Sequence, residues 1–109
     1  MGYDFFAYHR AKDEEWLFST QCMYAYEPVF KKCMNNENGI NYFHGRVTKK
    51  KMNEFKEFIE RLESDKSNNL DNRQMIGYLG NITFKKLVSD LKKIYKLMSL
   101  GKCKYLWIG

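Results

Sequence analysis

Phe84, Leu87, Val88, Leu91, Ile94, Tyr95 and Met98 fall on one face when the chain is wound at about 3.6 residues per turn. A helix of this length is marginal alone in water, so such a stripe predicts burial against another element. A second stripe follows the same period: Met52, Phe55, Ile59 and Leu62 recur at steps of three, four and three, with Phe58 beside them. Two amphipathic helices in a chain of 109 residues have room for one shared core, so residues 1–109 are expected to form a single domain.

Local signals bound these helices. Thr48 is placed to accept a hydrogen bond from the first turn of the earlier one. The later helix is expected over about 83–100, with Gly101 as the residue that leaves it. Glu27-Pro28 predicts a short third helix, because proline at the first helical position loses no hydrogen bond. Val29, Phe30, Cys33 and Met34 share one side of it, and the Asn-rich stretch ending in Gly39 stops it.

Short aromatic runs supply the strands. Residues 3–8 and 16–20, joined by the polar turn Lys12-Asp13-Glu14-Glu15, predict an antiparallel hairpin that residues 21–26 extend or leave. Residues 40–44 form a third strand candidate and residues 105–108 a last one. Residues 75–79 suit a short strand or a helical turn, broken at Gly80-Asn81. Residues 64–73 read as a polar loop and the expected site of proteolytic nicking. The expected fold is α+β: an antiparallel sheet of about four strands, with two long amphipathic helices and one short one packed on one face. The other face of the sheet is then free, or a binding surface. Tyr3, Phe5, Trp16, Phe18, Tyr42 and Trp107 are expected in the core of the sheet.

The formal charge of +6 is unevenly distributed. Residues 1–30 sum to −3, residues 31–56 to +5, residues 57–73 to −2 and residues 74–109 to +6. Basic blocks attract phosphates, acidic proteins or anionic surfaces. Lys85, Lys92 and Lys96 lie within about 40° of one another on the last helix, and Lys86 and Lys93 widen the arc to about 120°. Asp90 is the only acid there, so this face is expected to lack local carboxylate partners and to favour an anionic one. Arg46 with Lys49, Lys50 and Lys51 forms a second basic cluster at the start of the other long helix, a candidate phosphate seat. On that helix Lys50/Glu54, Lys56/Glu60 and Glu57/Arg61 are spaced to pair. Lysines outnumber arginines 15 to four, a bias that an A/T-rich coding background also produces.

Aromatic residues make up 17% of the chain, and rings exposed on a sheet can stack bases. No strand interleaves them with Arg or Lys in the manner of known RNA-binding sheets. Tyr24 and Tyr26, beside the proline turn, are candidates for a partner surface.

Chemistry-bearing residues are sparse. His9, His44, Cys22, Cys33 and Cys103 show no zinc-finger spacing, so no metal site is expected. No nucleophile elbow, triad signature or phosphate loop is present, so neither catalysis nor a cofactor is expected. Asp4 and His9 lie five apart, on opposite faces of a regular strand. Three cysteines, an odd number without a C-x-x-C, predict a reducing compartment, hence the cytoplasm. No apolar run approaches the roughly 18 residues of a membrane span. Residues 1–10 contain Asp4 and no apolar core of a secretory signal, and Phe6 stands where myristoylation wants Ser or Thr.

The opening Met1-Gly2-Tyr3-Asp4-Phe5-Phe6-Ala7-Tyr8, with a second aromatic strand leading to Glu27-Pro28-Val29-Phe30, resembles small phage and viral proteins of unassigned function. The resemblance covers about the first third of the chain. It implies a viral or mobile-element origin, with the host cytoplasm as location, and carries no functional residue across. The resulting expectation is a small basic interaction protein that binds and modulates another macromolecule without catalysis. The alternative is a nucleic-acid-binding protein using the lysine face of the last helix and residues 46–51. The expected partner is an acidic protein surface or a nucleic acid.

Overall fold

The computed structural model describes residues 2–23, 27–34, 38–64, 74–77 and 80–109. Strands β1 (Gly2–Tyr8) and β2 (Phe18–Met23) are followed by helix α1 (Glu27–Met34) and a 3-10 helix (Gly39–Phe43). Strand β3 (Gly45–Arg46) then leads into α2 (Lys49–Ser64). Strands β4 (Gln74–Gly77) and β5 (Gly80–Thr83), helix α3 (Phe84–Ser99) and β6 (Tyr105–Ile108) complete the order. A four-stranded antiparallel sheet runs β2-β1-β6-β3, and β4 and β5 form a separate antiparallel pair beside β2. The fold is α+β.

Both long stripes are buried as their periods require. Phe55, Phe58, Ile59 and Leu62 of α2 meet Leu87, Val88, Leu91, Ile94 and Met98 of α3 in one core. Met52 and Tyr95 sit at its margin. The sheet contributes Tyr3, Phe5 and Ala7 from β1, and Leu106 and Ile108 from β6. These are alternate residues, so one sheet face meets the helices and the other does not. Rings fill the end of the core under α1: Phe43 stands edge-on to Phe55 at 4.9 Å, and Phe30 edge-on to Phe58 at 5.6 Å.

The helix ends follow local chemistry. The Lys51 N–H donates to Thr48 Oγ1 at 3.1 Å, which caps α2. Gly101 adopts φ +72, its N–H donates to the Met98 carbonyl at 3.0 Å, and the Lys102 N–H reaches back to Leu97 at 2.9 Å. This is the paired-bond stop that a left-handed glycine allows. It turns the chain directly into β6.

Three expectations are corrected. Residues 40–44 are not a strand. The chain turns at Gly39 (φ +60) into a 3-10 helix whose residues three apart, Ile40 and Phe43, share one side and are buried. The short strand comes after it, at Gly45–Arg46. Strand β2 begins at Phe18, not Trp16, and continues through residues 21–23. Gly80 and Asn81 do not end an element: they belong to β5, with Gly80 paired to Gly77 across a hairpin. Residues 65–73, where nicking was expected, lie outside the described residues.

Candidate docking surface on the open sheet face

The residues of β1 and β6 that point away from the helices are mostly aromatic. Cross-strand register puts Phe6 opposite Trp107 and Tyr8 opposite Tyr105 on the two central strands. Trp107 packs against Phe6 at 5.5 Å between ring centres. Trp16, carried by the turn between β1 and β2, folds back onto Phe6 at 4.9 Å. A backbone bond, Leu17 N–H to the Ala7 carbonyl at 2.7 Å, holds that turn against β1. Trp16 remains 52% exposed and Trp107 39%.

Trp16 and Trp107 therefore do not belong to the core, contrary to expectation. Tyr3 and Phe5 do, while Phe18 and Tyr42 pack at its edge. The reason is parity. Leu106 and Ile108 occupy the inward positions of β6, which leaves Tyr105 and Trp107 outside. Phe5 and Phe6 are adjacent, and only Phe5 can point inward with Tyr3 and Ala7.

The rim of this face is polar. Ser19 pairs with Phe6 and Gln21 with Asp4 on the β2 side. Arg46 pairs with Tyr105 on the β3 side and is exposed. Lys49 and Lys50 follow at the exposed start of α2, and neither has a carboxylate partner among the described residues. On the β1–β2 side the exposed turn carries Arg10 and Lys12 as well as Asp13, Glu14 and Glu15. His44 closes the β3 side: its Nδ1 accepts the Ile108 N–H at 2.9 Å, which places the ring proton on Nε2. The imidazole lies edge-on to Tyr105 and Trp107. At the far end the Trp107 ring covers Gly109, where a Cβ would collide with it.

The basic residues singled out by sequence divide between two places. Arg46 borders the aromatic face, and Lys49 and Lys50 are exposed at the start of α2. Lys51 is drawn inward, its ammonium 3.4 Å from the His44 carbonyl and 5.5 Å from the centre of the Tyr42 ring. The α3 lysines belong to the helical layer, and the expectation that they lack carboxylate partners is corrected for Lys86 and Lys92. Lys86 pairs with Asp90 at 3.1 Å, and Lys92 reaches Glu63 of α2 at 2.9 Å. Lys93 lies over the Phe18 ring, and Lys85 and Lys96 are exposed. Of the pairs expected along α2, Glu57 and Arg61 meet at 3.8 Å, whereas Glu54 accepts the Tyr42 hydroxyl at 3.0 Å. That bond, above all, raises the Tyr42 pKa. Tyr24 and Tyr26 lie outside the described residues.

No protein-family model, curated protein or solved structure matches the chain.

The remaining chemistry is muted. The described residues contain no group of three or more His, Cys, Asp or Glu placed to hold a metal ion. Among them no helix is long and apolar enough to cross a membrane. Burial pushes the Cys22 thiol up to about 12 and the Cys103 thiol up to about 11, so neither presents a thiolate at neutral pH. An unfolded thiol ionises near its ordinary 9.0, so the unfolded chain releases protons at a pH where the folded chain holds them. The stability these thiols contribute is complete below about pH 9 and is lost as pH rises through 11 and 12. Urea unfolding at pH 7, 9 and 10.5 is expected to show a fall beginning near pH 9. Cys22→Ala should reduce that fall, and an identical pH profile in the variant would remove Cys22 as its source.

Proposed function

We propose that this protein is a small non-catalytic interaction module that docks on and modulates another macromolecule through the open face of its sheet. One observation carries the reading. Trp16 and Trp107, the two tryptophans of the chain, stand 52% and 39% exposed over the ring of Phe6 on a face that no helix among the described residues covers. Tryptophan and tyrosine on a solvent-facing patch with a polar rim are the usual anchors of recognition surfaces. An acidic protein surface and a nucleic acid both suit a chain of charge +6. The resemblance of the first third to small phage and viral proteins supports an origin in a virus or mobile element.

The lysine face of α3 is less favoured as the anchor. Lys86 and Lys92 are engaged with Asp90 and Glu63, and Lys93 rests on Phe18, which leaves Lys85 and Lys96. Affinity capture from cell extract, reading both protein and nucleic acid, tests the docking face. The Trp16→Ala/Trp107→Ala variant, checked for an unchanged far-ultraviolet spectrum, is expected to lose what the parent chain captures. Equal capture by the two would place docking elsewhere.

A further inference from the structure

We infer that the occupant of the open sheet face is a single-stranded nucleic acid, with its bases stacked on Phe6, Tyr8, Trp16, Tyr105 and Trp107 and its phosphates following the β3 edge at Arg46. This rests on the docking reading above and names the partner class. The outward positions of β1, β6 and β3 are rings, Gly2, Asp4 and Arg46, and Leu17, next to Trp16 in the turn, is an exposed aliphatic residue. Flat rings paired across two central strands suit flat bases, which every nucleotide presents regardless of sequence.

Charge sets the path of the backbone. Arg46 lies on the β3 side of the rings, with Lys49 and Lys50 following it in the chain, and the turn at the other side carries Arg10 and Lys12 together with Asp13, Glu14 and Glu15. Phosphates are attracted to Arg46 on the β3 side, so bases project across β6 and β1 toward Trp16. Arg46 is fixed in register with Tyr105, which aligns a cation with the first ring of the row. A duplex keeps its bases stacked internally, and this flat face offers no helix or ribbon to enter a groove.

The test is titration of the full chain with a fluorescein-labelled oligothymidylate and with the same length of duplex, read by anisotropy and by tryptophan quenching. The single strand is expected to bind and quench, and the duplex to bind much more weakly. Trp107→Ala is expected to weaken binding by about 5- to 150-fold, the effect of losing one stacking ring. Trp16 lies in the turn outside any strand, so Trp16→Ala supplies a second stacking variant with the sheet untouched. Arg46→Gln should lower the slope of log affinity against log salt by about 0.7, the contribution of one single-strand phosphate contact. Absence of quenching, equal affinity for duplex, or unchanged binding by both tryptophan variants would overturn the inference. A protein partner lost in the tryptophan variants, or a dimer of this chain dispersed by them in sedimentation, with no oligonucleotide binding, would overturn the nucleic-acid assignment while leaving the docking face standing. Variants that keep every partner would overturn both.

Discussion

Phe55→Ala is expected to lower the free energy of unfolding by about 3–5 kcal/mol. Phe55 is fully buried where α2, the 3-10 helix and the rest of the core meet, with Phe43 edge-on at 4.9 Å and Phe58 at 6.2 Å. Its removal takes away a large apolar surface and leaves a hole between elements too rigidly packed to close it. Domains of this size are stable by about 5–15 kcal/mol, so the variant would lose a large share of the total. Leu91→Ala, from the facing helix, is expected to cost about 2–5 kcal/mol for the same reason. Urea denaturation with an unchanged m-value would attribute the loss to the folded state. Losses below about 1 kcal/mol at both positions would reject the shared core of α2 and α3.

Thr20→Val is expected to cost about 1.5–3 kcal/mol. Asp90 is 3% exposed, and its carboxylate accepts the Thr20 hydroxyl at 2.8 Å and the Lys86 ammonium at 3.1 Å. Valine matches threonine in shape but cannot donate, so a nearly buried carboxylate loses one of its partners. Lys86→Met should cost less, because the lysine side chain is 62% exposed and water replaces much of what it gives. The ordering of the two variants in thermal melts is the measurement. If Lys86→Met proved the more damaging, the hydroxyl bond would not be what secures α3 to β2. This triad also explains why an acid stands on an otherwise lysine-rich helix: it ties α3 to a strand 70 residues away in sequence.

How the candidate face escaped the sequence is a matter of parity. In residues 3–8 aromatic side chains occupy both phases of the strand, and nothing local says whether Phe5 or Phe6 turns inward. Trp107 sits between Leu106 and Ile108, and that alternation was the available signal that the indole points outward. The cluster at residues 46–51 was visible as charge, but the place of Arg46 beside Tyr105 depends on β3 pairing with β6 rather than with its neighbours in sequence.

What the sequence determined by itself was what one turn or one stripe can encode. The period of the apolar residues in α2 and α3, the Thr48 cap and the left-handed Gly101 are satisfied by contacts within a few residues. They hold in any fold that buries the stripes. Tertiary structure decided the rest. The run at 40–44 is short enough for either period, and burial of Ile40 with Phe43 selected the 3-10 helix. The last strand, β6, entered the sheet between β1 and β3, and that insertion set which rings face water. Lys92 found Glu63 on another helix, and Lys86 joined a carboxylate that Thr20 holds from the sheet. Each of these depends on residues far apart in the chain whose meeting is set by the closure of the whole core.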